Sequence, residues 1–465
     1  MPFSTKISET FGRTIDTSPY VTLDPLVKQT YVSKGRNIIF GRQTINAEAS
    51  DLLYLGKVLE SGTGTSYLGS DAWLDTSFPH VVYITGTRGS GKSVDLGILI
   101  EGLSRLKTAS PVQRDVTPIA SFLIDTQSQF WTLRFSPKDD LPIHAAQKAT
   151  LDEWNLSPSE LADVKFFVPP GATRFLGDEE PLQIRPKDVL HEEWCSLLGQ
   201  EIYGPQGHIL AKTLERFAGS DYSVEEMITY IASAANWPGV AEGSRKVLQY
   251  RLEDYQRTGL FSKDGLDISA LLVGGRCNVF MLRELRDEDK ALVTAILARQ
   301  LFTTMGRYHQ KRRVDEFFST GEQAENFPSR VWLLIDEAHV VCPSQGSSPG
   351  RAALVEYVKR GRDAGLSLVL ATQQPSAVDD RVLSQVNISL AHRLSFSSDI
   401  AASISRIPTK TLSGMRVSAT KLTDFGDMVR LLDAGQCFIG DQGTSRVVLL
   451  QMRPRITAHA GYSPL

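Results

Sequence analysis

Apolar residues along this chain repeat at two spacings, one typical of buried strands and one typical of helices. A β-branched and aromatic run, VVYI, leads into a glycine-rich segment, and the residues that follow repeat apolar side chains at Leu96, Leu99, Ile100 and Leu103. That repeat of three and four residues predicts a helix. Further buried strands are predicted in ASFLID, CNVFML, VWLLI and LSLVLA. Strands that alternate with helices predict an α/β fold.

The pattern changes character several times along the chain, and each change marks a predicted boundary. Short β-rich runs separated by Gly, Ser and Asn fill the N-terminal part, and a mainly helical stretch separates two α/β parts. We find no internal repeat. The predicted segments are a small N-terminal β-rich module at 1–78, a first core part at 79–139, a helical insertion at 140–274, a second core part at 275–450 and a C-terminal tail at 451–465.

Helix signals are clearest in the insertion and in the second core part. Apolar residues over 190–202 fall on one helical face. Ser223 and Glu226 form a capping-box pattern, and Gly259 is placed to end the helix before it. A long helix is predicted around 293–305, where apolar residues again repeat at helical spacing.

Composition narrows the class of protein. The chain has 465 residues, of which 42% are hydrophobic and 22% charged, as in a globular protein with a large core. Its formal net charge of −3 argues against a polycationic coat but allows DNA to be held by a local basic ring. No apolar run approaches the roughly 20 residues that span a bilayer, and the N-terminal residues lack an apolar signal core, so a cytoplasmic protein without a membrane partner is expected. The cysteines lie far apart, with no CxxC pair, which favours a reducing compartment: Cys195, Cys277, Cys342 and Cys437.

The glycine-rich segment satisfies the P-loop pattern at every required position. Its residues are Gly86, Thr87, Arg88, Gly89, Ser90, Gly91, Lys92 and Ser93. Backbone N–H groups of such a loop bind phosphates, the lysine adds a mobile cation, and the last hydroxyl is offered to Mg²⁺. A chance glycine-rich turn is the alternative, and the flanking strand and helix weigh against it. ATP and Mg²⁺ are therefore the expected ligands.

Two carboxylates follow the apolar run VWLLI. Asp336 is expected in the Mg²⁺ shell, and Glu337 is expected to orient and polarise the attacking water as the catalytic base. The alternative is a core strand that ends in ordinary solvated acids. Thr372 and Gln373 end the next predicted strand, where a polar side chain can sense the γ-phosphate; the alternative there is a turn before Pro375.

Several cations have two interpretations. Arg360 and Arg362 stand near the end of a predicted helix, where arginine usually compensates the helix dipole. In an oligomeric ATPase, such an arginine could instead reach the phosphate of a neighbouring subunit. Other cations are candidates for DNA contact, although a solvated face is the favoured interpretation of each: Lys311, Arg312, Arg313, Arg245, Lys246 and Arg351.

The blocks IDEAHVV, KRGRDAGLSLVLATQQPS, RVLSQVNISLAHRL and LDAGQCFIG…MRPRITAHAG together resemble the HerA branch of the HerA/FtsK translocases. The resemblance covers residues 80–135 and 275–460. It implies a RecA-like P-loop core and a homo-hexameric ring that moves double-stranded DNA at the expense of ATP, as a translocase or helicase. It also implies a nuclease or other effector as partner, in DNA end processing or anti-phage defence.

The resemblance assigns roles residue by residue. It implies that Lys92 and Ser93 bind phosphate and Mg²⁺, that Asp336 and Glu337 form the second acidic motif, and that Gln373 is the sensor. Arg362 would be the finger acting on a neighbouring subunit, and Asp125 matches an acidic position at the end of a strand.

The chain departs from that family in four places. Arg88 stands where threonine is common, Gln129 where glutamate is expected, and Gln374 where arginine is usual. The N-terminal module also looks shorter than the family's β-barrel. A ring that assembles and switches an effector without productive translocation is the alternative function. A membrane-coupled secretion or conjugation ATPase of the same superfamily is disfavoured by the missing membrane segment.

Overall fold

The predicted strands come together in one large sheet. The computed structural model describes residues 14–15, 37–42, 50–61, 66–318, 327–408, 415–417, 420–422 and 424–459. Its strands are β1 (Thr14–Ile15), β2 (Asn37–Phe40), β3 (Leu52–Ser61), β4 (Ser66–Asp75), β5 (Val81–Thr85), β6 (Gln113–Arg114), β7 (Ala120–Asp125), β8 (Val164–Val168), β9 (Glu180–Pro181), β10 (Cys277–Met281), β11 (Val331–Ile335), β12 (Leu366–Thr372), β13 (Ile388–Ala391), β14 (Met415–Val417), β15 (Thr420–Leu422), β16 (Gln436–Asp441) and β17 (Arg446–Met452). Its α-helices are α1 (Lys92–Leu103), α2 (Pro142–Glu153), α3 (His191–Leu197), α4 (Pro205–Phe217), α5 (Val224–Ala232), α6 (Glu242–Thr258), α7 (Ile268–Leu271), α8 (Asp287–Phe318), α9 (Ala338–Val341), α10 (Pro349–Arg360), α11 (Asp380–Leu383), α12 (Ser397–Ile404) and α13 (Phe425–Arg430).

The centre of the sheet is a block of parallel strands in the order β13-β5-β12-β11-β7-β10-β8. Every apolar run predicted to be a buried strand lies in this block. Alternate side chains of β11 enter two different cores: Leu333 packs with the insertion helices and α8, whereas Trp332 and Leu334 pack with α1 on the other face. Helices cover both faces, which explains why these strands read as continuous apolar runs. The predicted α/β fold is confirmed.

Strands β2, β3 and β4 from the first 78 residues extend this same sheet, whereas β1 pairs with β14 in a separate three-stranded sheet. After β13 the order continues through β16, β17, β3, β4 and β2, with antiparallel pairing from β13 to β4. The join is the pairing of β17 with β3, in which Leu450 lies opposite Val58. Strands β2 to β4 therefore pack as a continuation of the core sheet.

The stretch between β7 and β10 supplies two strands as well as helices. β8 pairs with β10 at the edge of the parallel block, and β9 pairs with β8. The single helix expected over 190–202 is wrong. Helix α3 ends at Leu197, Gly199 takes a left-handed φ of +60°, and Pro205 begins α4. Leu190 and Ile202 are consequently exposed.

The other helix signals agree with the structure. The Ser223 hydroxyl accepts the backbone N–H of Glu226, whose carboxylate accepts the backbone N–H of Ser223 in return. Gly259 ends α6 with a φ of +68°. The predicted long helix is α8, and its residues from 291 to 298 are buried throughout. Among the described residues, no helix combines the length and the apolar character needed to cross a bilayer.

The segment after β17 crosses helix α1 and is tied to it by a buried ion pair. The Arg453 Nη1 atom lies 2.7 Å from the Glu101 carboxylate, and both side chains are fully buried. Arg453 also donates to the backbone carbonyls of Ile98 and Tyr54. At the end of this segment, burial lowers the pKa of His459 to about 4, and nearby positive charge acts in the same direction. The chain after β17 is thus part of the support of α1.

Candidate active site

One edge of the parallel block collects the residues predicted to carry the chemistry. The P-loop (86–93) follows β5, Gln373 follows β12, Asp336 and Glu337 follow β11, and Asp125 ends β7. These four strands are neighbours in the order β5-β12-β11-β7, and all of them are parallel. The carboxyl ends of parallel strands share one edge, where α/β proteins bind ligands. The structure therefore brings these residues of the sequence together.

The P-loop is a tight turn, and two of its positions can be occupied only by glycine. Gly91 has a φ of +129°, a conformation that side chains rarely adopt. A Cβ on Gly86 would lie 2.3 Å from the hydroxyl oxygen of Ser90. Arg88 lies exposed at the tip of the loop, and Ser93 is half-buried in the first turn of α1. The N-terminus of α1 directs its free N–H groups towards the loop, as a phosphate site requires.

Lys92 is the buried cation of the site. Its Nζ donates to the backbone carbonyl of Thr87 at 3.0 Å, so the side chain curls over the loop. Burial lowers the pKa of Lys92, and the charges of Glu337, Asp336 and Asp95 oppose this in that order. The lysine therefore lies close to three negative charges. A bound polyphosphate would compete with these carboxylates for the positive charge of Lys92.

Asp336 and Asp125 are buried carboxylates short of positive charge. Burial, together with the charges of Asp125 and Glu337, raises the pKa of Asp336 to about 8, and the charge of Lys92 opposes this rise. Burial raises the pKa of Asp125 to about 6, although several backbone N–H groups stabilise its charge. Carboxylate and hydroxyl oxygens are the ligands that Mg²⁺ prefers, and a cation would offset the excess negative charge. Asp336, with the Ser93 hydroxyl, therefore fits Mg²⁺.

Glu337 is held in a defined orientation. Its φ of +51° is uncommon for a residue other than glycine, and such conformations cluster at functional sites. The Gln373 side-chain amide donates to Oε1 of Glu337, and the Gln373 backbone N–H lies 3.4 Å from Oε2. The His339 Nδ1 atom lies 3.5 Å from the same carboxylate and 3.0 Å from the Thr372 hydroxyl. The end of β12 thus positions the carboxylate at the end of β11.

Arg362 does not reach the P-loop of its own chain. It lies exposed in a 3-10 turn, Gly361–Ala364, before β12, whereas Gln373 follows the opposite end of that strand. The seven residues of β12 span roughly 20 Å. A contact between Arg362 and a phosphate would therefore need a second subunit. The neighbouring Arg360 lies over the ring of Phe302 instead.

The basic residues considered for DNA contact make local interactions. For Arg245 the predicted solvated face is wrong, because the side chain is buried and donates to the carbonyls of Ile231 and Ala232. A buried arginine cannot line a pore. The other pairings are Lys246 with Glu242, Arg312 with Glu316, Arg313 with the Asp363 carbonyl and Arg351 with Asp379.

The positions that depart from the resembled family can also be placed. Gln129 follows Asp125, and its backbone N–H stabilises the charge of that carboxylate. Gln374 is exposed and donates its backbone N–H to the Thr372 hydroxyl. Sequence reasoning missed His392, which follows β13 beside the P-loop. The rule that found Gln373, a polar residue directly after a parallel strand, would have found it.

A known structure shares this architecture. VirB4 of Thermoanaerobacter pseudethanolicus superposes with a TM-score of 0.51 at 13% sequence identity, over 87% of this chain and 97% of that chain. The chain has a RecA-like P-loop NTPase fold. The core predicted from the sequence is confirmed, and at this identity the likeness establishes the fold alone.

Other structures align less closely. The bacterial conjugative coupling protein TrwB gives a TM-score of 0.48 at 13% identity, over 91% of this chain and 97% of that chain. The genome packaging NTPase B204 from Sulfolobus turreted icosahedral virus 2 gives 0.33 at 11% identity, over 80% and 96%. No protein-family model matches the chain, and no curated protein matches its sequence.

Proposed function

We propose that the protein is an ATP hydrolase that moves double-stranded DNA through a homo-hexameric ring of HerA type in the cytoplasm. The observation that carries the proposal is the arrangement at one sheet edge of Lys92, Asp336 and Glu337, with Glu337 held by Gln373. A nucleotide-binding protein needs only the first of these groups. A carboxylate oriented beside the phosphate loop is what hydrolysis adds.

Each group has a defined task in the proposed reaction. The P-loop N–H groups and Lys92 bind the phosphates, and Lys92 exchanges its bond to the Thr87 carbonyl for one to phosphate oxygen. Glu337 takes a proton from the attacking water, and the Gln373 amide keeps the accepting oxygen in place. Mg²⁺, held by Ser93 and Asp336, would neutralise phosphate charge when bound.

The position of Arg362 supports the proposed ring. Phosphoryl transfer gains about 10³ to 10⁵ in rate from an arginine that stabilises the transition-state charge. Arg362 lies at the far end of β12, so we propose that it acts on the nucleotide of the adjacent subunit. The HerA type, and with it a nuclease or other effector in end processing or defence, is supported by the sequence blocks that continue past the site into the tail.

The deciding experiment measures ATP turnover with and without linear double-stranded DNA, together with the native mass of the protein. A hexamer whose turnover rises with duplex DNA supports the motor. Lys92→Ala serves as the control, because without the cation neither nucleotide binding nor turnover should remain.

Two outcomes would change the proposal. A monomeric protein with full turnover would refute the ring. A hexamer that hydrolyses ATP without any response to DNA, and whose Glu337→Gln form still activates an effector, would identify an ATP-dependent scaffold instead of a motor.

A further inference from the structure

A buried histidine–aspartate pair lies directly beneath the P-loop. The His392 Nε2 atom donates to Oδ2 of Asp95 at 2.6 Å, and both side chains are fully buried. His392 follows β13, and Asp95 lies in the first turn of α1. The hydrogen bond therefore joins the strand beside the P-loop to the helix that the P-loop enters.

The P-loop packs on this histidine at both of its ends. A Cβ on Gly86 would lie 2.7 Å from Cβ of His392, and a Cβ on Gly91 would lie 3.1 Å from its ring. The backbone continues the contact, since the Thr87 N–H donates to the carbonyl of Arg393 at 2.8 Å. His392 thus packs directly against the P-loop.

Asp95 has a second partner within reach. Lys92 and Asp95 stand three residues apart on one helix, a spacing at which opposite charges meet on the same face. The charge of Asp95 already acts on Lys92. Yet Lys92 donates to the Thr87 carbonyl and His392 donates to Asp95. Among the described residues, Oδ1 of Asp95 has no hydrogen-bond partner, so the imidazole N–H is the single bond that holds this carboxylate.

We infer that His392 is a positioning residue of the nucleotide site, which holds Asp95 away from Lys92 and leaves the lysine available for phosphate. Without the imidazole N–H, Asp95 is a buried carboxylate with no partner, and such a group is costly until it finds a charge. Lys92 is the nearest cation on its own helix. The pair that then forms removes the cation of the P-loop.

The inference rests on the proposed nucleotide site, and it is tested by binding alone. The probe is a fluorescent, non-hydrolysable ATP analogue with Mg²⁺, titrated into the full chain. His392→Phe keeps the ring volume under Gly86 and Gly91 but removes the donor. A lost charge-assisted hydrogen bond to phosphate predicts about ten- to hundredfold weaker binding.

Two further variants separate positioning from packing. His392→Phe combined with Asp95→Asn should bind within about threefold of Asp95→Asn alone, because a neutral amide does not capture the lysine. His392→Gln should also restore binding, since its amide nitrogen can donate to Asp95. His80→Ala is the matched control: this buried histidine lies at the opposite end of β5, and its loss should leave the affinity unchanged.

Several results would overturn the inference. Wild-type affinity in His392→Phe, or a double variant as weak as His392→Phe, would show that Asp95 does not compete for Lys92. If His392→Phe does not fold, judged by circular dichroism, His392→Leu provides the same comparison. A wild type that binds the analogue without hydrolysing ATP refutes the motor while the variants still decide this inference; a wild type that does not bind refutes both.

Discussion

Replacing Glu337 with glutamine removes the proposed base while preserving its surroundings. The glutamine side-chain oxygen can still accept the hydrogen bond that the Gln373 amide donates to Glu337. The strained backbone at φ +51° is unchanged, because glutamine differs from glutamate by one atom. The substitution therefore affects proton transfer and leaves the geometry of the edge intact.

The expected loss follows from the task of the base. A positioned general base contributes about 10²- to 10⁴-fold in rate, so Glu337→Gln should raise the barrier to hydrolysis by roughly 3–5 kcal/mol. Nucleotide binding should stay equal or become tighter. The reason is electrostatic: the variant removes one negative charge from a site that must receive the negative charge of ATP.

Single-turnover hydrolysis and a binding titration measure the two quantities separately. Glu356→Gln, which changes an exposed carboxylate on α10, is the control and should match the wild type in both. A Glu337→Gln protein that hydrolyses ATP at the wild-type rate would refute the assignment of the base. Loss of binding would refute the claim that the geometry is preserved.

Three further predictions concern the ring and the fold. Arg362→Ala should bind nucleotide and assemble but hydrolyse ATP about 10³-fold more slowly. Mixed rings of Arg362→Ala and Glu337→Gln subunits should regain turnover. If rings whose mixed composition is confirmed by mass regain none, an arginine finger acting between subunits is contradicted. Arg453→Met leaves Glu101 buried without its main partner, so it should lower the free energy of unfolding by about 3–5 kcal/mol in denaturant titration. Combining Arg453→Met with Glu101→Gln should recover most of that loss. The folded-state pKa of His459, about 4, lies below its ordinary value of 6.5, so the neutral form is favoured in the fold; stability should be complete above pH 6.5 and decrease by up to roughly 3 kcal/mol as the pH falls to 4. Across that pH range, the melting temperature of His459→Gln should decrease less than that of the wild type. Parallel curves for the two proteins would contradict the assignment of this pH dependence to His459.

Local sequence patterns indicated most of the residues that the structure brings together at the site. The P-loop is a contiguous motif between a strand and a helix, and Asp336, Glu337 and Gln373 each follow an apolar run directly. Because parallel strands align their carboxyl ends, strand-by-strand reading was enough to place these residues at one edge. Their mutual contacts, such as the bond between Gln373 and Glu337, needed the structure.

Pairings between distant segments could not be predicted from the sequence. The join between Val58 and Leu450 unites residues almost four hundred positions apart, and nothing near either of them indicates the other. Arg245 looked like a surface cation because its acceptors, the carbonyls of Ile231 and Ala232, belong to another helix end. Hydrophobic periodicity describes one element at a time and does not report which elements meet.

The ion pair between Glu101 and Arg453 joins an early and a late part of the chain, so it can form only some time after Glu101 has been synthesised. The two residues are 352 positions apart, so a ribosome adding about 5–20 residues per second makes the glutamate roughly 20–70 s before the arginine. Over that interval the residues of α1 and β3 lack their C-terminal partners, and Glu101 has no counter-charge from Arg453. The nascent chain can therefore complete the support of helix α1 only after residue 453 has been made. Chains stopped before residue 453 should be retained by chaperones or aggregate, even though every residue of the P-loop and of the acidic pair has already been made.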